Sequence, residues 1–180
     1  DEIVTDEEAD VTVTKEENPL ALLVEATEES ESTTAFSMTQ ASQDPVIALL
    51  DTGASLSDNV IEQVSMIGDE MVSAESTHGE DMARLIISQN EDALISSIRV
   101  LDDEGKGTIS SVIAGIEYAI EQNVDYINLS LYSKNNLAGS VLTKEIKKAI
   151  DAGIVVIGAA GNSSTYANQF VPGAVEEALI

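Results

Sequence analysis

Residues 94–131 read LISSIRVLDDEGKGTISSVIAGIEYAIEQNVDYINLSL, and the reading of this stretch decides the fold. Residues 94–101 form an apolar-rich run of strand length, and Asp102, Asp103, Glu104, Gly105, Lys106 and Gly107 make a turn. Thr108 then stands as an N-cap before a segment whose Ile109, Val112, Ile113, Ile116 and Ile120 share one helical stripe. Residues 126–129 read as a second strand. Strand, crossover helix and strand make a βαβ unit, in which the strands run parallel and the connection is right-handed.

The same alternation extends outward in both directions. Residues 45–59, PVIALLDTGASLSDN, contain five apolar residues from Val46 to Leu50 without a polar break, a strand buried on both faces that stops at Asp51. Residues 63–67 suggest a short second strand. HGEDMARLII, from His78, puts Met82, Leu85 and Ile86 at helical spacing. Residues 141–151 form an amphipathic helix with Lys144, Lys147 and Lys148 outward and Gly153 at its C-cap. Residues 154–157 are another buried strand, followed by Gly158, Ala159, Ala160, Gly161 and Asn162. The pattern predicts an α/β chain, a three-layer parallel sheet with helices on both faces.

Charge divides the 180 residues in two. Residues 1–44 hold 13 acidic residues against the single Lys15, out of a net charge of −25 for the chain. They read as an acidic N-terminal segment, with a short strand at 10–14, a helix capped by Asn18 with Leu20, Leu23 and Val24 on one face, and a Ser/Thr-rich linker over 28–43. Residues 45–180 read as the domain. The acidity argues against nucleic acid and anionic membranes as partners, because phosphates are repelled. No run approaches the roughly 18 apolar residues of a membrane span. Without cysteine the chain forms neither disulfides nor thiolate metal sites. Its first residue is Asp, which suggests a piece cut from a longer precursor.

Three residues fall on one edge of the sheet. Asp51 ends one strand, Asn162 follows another and His78, the single histidine, opens a helix on that side. In open α/β sheets, ligands collect at the carboxyl ends of the strands. Each feature alone has a plainer reading: an Asp opening a turn, a solvated His, a loop of small residues.

Taken together, DTG at Asp51, THG at 77–79, YINLSL at 126–131 and GIVVIGAAGN at 153–162, in that order and at those intervals, resemble the N-terminal portion of a subtilisin-like serine protease domain. The resemblance runs from about residue 45 to 180. It implies that Asp51 is the triad carboxylate, His78 the general base and Asn162 the side-chain donor of the oxyanion hole. It also implies that Ser130, Leu131 and Tyr132 line the substrate cleft and that Ala159, Ala160 and Gly161 wall its specificity pocket. The implied substrates are peptides or proteins, and the implied location is extracellular or cell surface. Calcium often accompanies the family, yet the adjacent acids Asp102, Asp103 and Glu104 read as a solvated turn, and neither a metal site nor another cofactor is assigned.

Several positions depart from the family pattern. No Gly-Thr-Ser-Met-Ala type segment, which carries the family's nucleophile, occurs in the 180 residues, and Ser163 and Ser164 read as loop residues. The chain is therefore expected to be truncated before the C-terminal part of the domain and inactive by itself. Its last strand edge is expected to be covered by self-association or by the missing portion. Glu80 and Asp81 put two acids beside the base, and Arg84, in place of a small residue, is expected to crowd the helix packing. Tyr132 and Ser133 replace an expected Gly-Gly. Two alternatives remain: a non-catalytic binding or scaffold domain, and an aspartic protease, whose signature ALLDTGAS at 48–55 resembles but which requires an all-β chain.

Overall fold

A computed structural model describes residues 44–55, 57–68, 78–134, 137–161 and 164–180. The expected strand at 10–14, the helix near Asn18 and the linker over 28–43 lie outside the described residues, as do Thr77, Asn162 and Ser163.

The order of elements is β1 (Val46–Asp51), β2 (Val60–Ser65), α1 (His78–Gln89), β3 (Leu94–Arg99), α2 (Ile109–Glu121), β4 (Tyr126–Leu129), β5 (Ser133–Lys134), α3 (Leu137–Asp151), β6 (Val155–Gly158), a 3-10 turn (Ala167–Gln169) and β7 (Phe170–Val171). Five strands form a sheet in the order β2-β3-β1-β4-β6 with every pairing parallel. From β1 the chain moves out through β2 and β3, then crosses back to β4 and β6 on the other side. The carboxyl end of β1 therefore lies at the switch in strand order, where open sheets leave a crevice.

The alternation within β1 explains the layers. Leu49 joins Ala54, Met82, Ala83, Ile86 and Ile95 in a small core beneath α1. Ala48 and Leu50 point the other way, into a larger core with Val100, Val112, Ile116, Ile127, Leu142 and Ile146, which α2 and α3 cover. This is the predicted α/β arrangement, a mostly parallel sheet with helices on both faces. The two long helices and the parallel sheet rule out the all-β chain that the aspartic protease alternative requires.

Local chemistry sets the ends of the elements. Thr108 closes a capping box with Ser111, each side chain accepting from the other's backbone N–H. Gly153 adopts φ 91° after α3, where a side chain is strained. α3 begins at Leu137, four residues ahead of expectation, and β2 at Val60, three ahead. Arg84 is exposed, so it does not crowd α1; Met82 and Ala83 form the inward face instead. At the far edge, Leu179 pairs with Ile157 in a parallel bridge, donating to Val156 O at 2.9 Å and accepting from Gly158 N at 2.8 Å. The chain's own residues thus pair part of the edge that was expected to be covered by another copy or by the missing portion.

Candidate active site

Asp51 is fully buried at the end of β1, and its backbone carbonyl accepts from Val100 N at 2.9 Å and Leu101 N at 3.2 Å. The strand terminus is thereby tied to the chain leaving β3. Its carboxylate accepts from Thr52 N at 2.6 Å, a short contact of the kind that ionised acceptors make. His78 Nδ1 stands 2.9 Å from Asp51 Oδ2 and 3.0 Å from Oδ1. An ionised carboxylate only accepts, so the imidazole hydrogen sits on Nδ1 and the Nε2 lone pair is left for a proton. The His78 side chain is 10% exposed.

The loop after Asp51 binds α1 to β1. Gly79 N donates to Thr52 Oγ1 at 3.0 Å, Ser55 N donates to Glu80 Oε2 at 2.8 Å, and Ala54 N donates to Ser97 Oγ at 2.8 Å. Gly79 has no room for a side chain, since a Cβ there would lie 2.5 Å from Gly53 O. The close approach sets His78 over the strand end. Glu80 was read in the sequence as an acid acting on the base; it is buried and works as a loop anchor.

Arg99 drew no attention in the sequence. It pairs in register with Asp51 across β1 and β3, which puts both side chains on the α1 face of the sheet. Its side chain is 2% exposed, Nη2 reaches Asp103 Oδ1 at 3.0 Å, and Nε and Nη1 have no hydrogen-bond partner among the described residues. An arginine inside an apolar strand was the available signal.

The cleft candidates leave the same edge on neighbouring strands. Leu129 and Gly158 are in register, and Ala159 N donates to Leu129 O at 3.1 Å. Ser130 is buried, its Oγ accepting from Asn128 Nδ2 at 2.9 Å, and Leu131 is wholly inside the larger core. Neither side chain is offered to a ligand. Tyr132 and Gly161 are half-buried and Ala160 is exposed. The Asp102 carboxylate caps its own turn, accepting from Glu104 N and Lys106 N at 2.9 and 3.0 Å. Among the described residues no three acidic or histidine side chains are grouped to hold a metal ion.

A parallel α/β sheet carries a buried Asp paired with a half-buried His at its switch point, and comparison with known proteins gives this arrangement its family. Residues 42–178 match the profile of the Subtilase family, and the chain belongs to that family. It is similar to Subtilisin DY of Bacillus licheniformis, with 30% identity over 138 residues, covering 68% of this chain and 49% of the relative. It is also similar to the Thermostable alkaline protease of Halalkalibacterium halodurans, at 36% identity over 65% of this chain and 35% of the relative. A cold adapted subtilisin-like serine proteinase of known crystal structure shares the fold, with TM-score 0.60 and 24% identity over 76% of this chain and 54% of that one. The chain spans about half the length of Subtilisin DY or less of the relatives it matches. A subtilase domain is a serine protease domain, and the aligned half is its N-terminal part.

Proposed function

We propose that this chain supplies the carboxylate and the general base of a subtilisin-type serine endopeptidase, Asp51 and His78, and that the nucleophilic serine belongs to a segment absent from these 180 residues. The observation that carries the reading is His78 Nδ1 held within 3.0 Å of both oxygens of a fully buried carboxylate at the switch point of the sheet. In the reaction, Nε2 takes the proton of the serine hydroxyl as the oxygen attacks the peptide carbonyl, and later gives it to the leaving amine. Asp51 accepts the Nδ1 hydrogen throughout and stabilises the imidazolium that forms. Such a positioned base contributes about 10² to 10⁴ in rate. Asn162 is the proposed oxyanion donor, a role worth about 2.7 to 4 kcal/mol of barrier.

The substrates are peptides or proteins, lined by Ser130, Leu131 and Tyr132 on one side and by Ala159, Ala160 and Gly161 on the other. Residues 1–44 are a separate acidic segment and 45–180 the catalytic domain's first part. The setting is extracellular or cell surface, following the family. The remaining apolar edge at Val155, 38% exposed, is covered by the rest of the domain or by a second copy.

A fluorophosphonate probe tests this directly. The 180-residue chain should label at no serine, and the full-length protein that contains it should label at one, with labelling lost in His78→Ala. Labelling of the short chain, or labelling indifferent to His78, contradicts the proposal. A folded full-length protein that never labels is the non-catalytic binding domain instead.

A further inference from the structure

We propose that Tyr132 and Phe170 together fill the pocket between the two cleft walls, so that the site takes peptides presenting a small side chain, glycine or alanine, at the residue whose carbonyl is attacked. This rests on the reading of the site as a peptidase and adds a substrate class to it.

The two walls are fixed by the sheet. Tyr132 follows β4 and Gly161 follows β6, and the strands are paired in register up to Leu129 and Gly158, so the segments leave the sheet side by side. Phe170 arrives from a third place. It opens β7, whose antiparallel pairing with β5, Lys134 to Phe170 and Ser133 to Val171, holds it against the Tyr132 segment. The two rings meet edge to face, with centroids 5.1 Å apart and planes at 75°, a favourable arrangement for aromatic pairs. On the other wall, a Cβ at Gly161 would lie 3.6 Å from Phe170 Cδ2 and 3.9 Å from Tyr132 Cγ. A single methyl group would thus be in ordinary contact with both rings, and the space between Gly161 and the ring pair takes little more than that.

Neither ring belongs to either hydrophobic core, and Tyr132, Phe170 and Gly161 are all half-buried. The pair is partly open to solvent and stands outside both cores. A large apolar side chain entering there must displace a ring, whereas a methyl group or hydrogen need not.

Hydrolysis of peptide amides differing at that residue measures the effect in the full-length protein. Alanine should be preferred to phenylalanine by about 10-fold or more, in the range a pocket contact commands. Phe170→Ala or Tyr132→Ala should shift the phenylalanine-to-alanine ratio of kcat/KM upward by a similar factor, each variant standing in if the other fails to fold. Preference for phenylalanine or leucine in the wild type, or an unchanged ratio in a folded variant, overturns the proposal. Should the full-length protein hydrolyse nothing, the peptidase reading fails and the filled pocket is judged separately. In NMR titrations of the 180-residue chain with p-cresol, Phe170→Ala or Tyr132→Ala should show saturable shifts at Gly161 that the wild type lacks. Equal binding by the wild type, or no binding by the folded variants, refutes the filling.

Discussion

At the residue scale, the unusual group is Arg99. Its guanidinium is nearly inaccessible, yet it has one ion pair with an Asp103 that is 59% exposed. Such a pair contributes about 0 to 1 kcal/mol, while a buried donor without an acceptor costs about 1 to 3 kcal/mol. Replacing Arg99 with Met, of similar length and no donors, should therefore stabilise the chain by about 1 kcal/mol in urea unfolding. A destabilisation instead would mean that the guanidinium is held by further favourable contacts. The pairing of Asp51 with His78 was legible at this scale, because both sit in short motifs whose residue types the chemistry demands. Arg99 and Phe170 were not legible. Their positions depend on which strands lie side by side, 48 residues from Asp51 to Arg99 and 38 from Tyr132 to Phe170, and hydropathy has no signal for such pairings.

Among the elements, the seating of α1 on β1 and the tie between β2 and α2 matter most. Gly79→Ala would drive a Cβ into Gly53 O at 2.5 Å, and neither backbone can yield without lifting α1 from the strand end. A destabilisation of about 1 to 3 kcal/mol, the usual cost of overpacking, should appear in urea unfolding together with a disturbed His78 environment. Across the sheet, Tyr118 Oη donates to Glu62 Oε1 at 2.5 Å, and Ser96 Oγ donates to Oε2 at 2.9 Å. The hydrogen bond to Glu62, then burial, then the charges of Glu62 and Glu121 push the Tyr118 hydroxyl from 10.0 up to about 12. Folded Tyr118 keeps its proton where the unfolded chain loses it, so this contribution is complete below pH 10 and fades between pH 10 and 12. Tyr118→Phe should remove that part of the alkaline slope in unfolding experiments, and an identical slope would show that the bond does not couple to folding. The elements themselves were largely legible from periodicity, with β4 found at the same residues. The boundaries of β2 and α3 were less so, since pairing with β3 and tertiary contacts, rather than local pattern, decide where they begin.

For the whole molecule, a parallel sheet, its switch point and the Asp51–His78 pair built there belong to one arrangement. The fold followed from the alternation of strands and helices, and the subtilase relatives share it over about half their length or less. The proposed role of the chain turns on the orientation of one imidazole, and the sequence has one histidine, so a single resonance set reports on it. The decisive measurement is nitrogen-15 NMR of the His78 ring at neutral pH in the 180-residue chain, compared with Asp51→Asn. The account predicts a hydrogen on Nδ1 with a strongly downfield, slowly exchanging proton signal and an unprotonated Nε2, both lost in the variant. A ring protonated on Nε2, or one whose spectrum is the same with and without the Asp51 carboxylate, would contradict it.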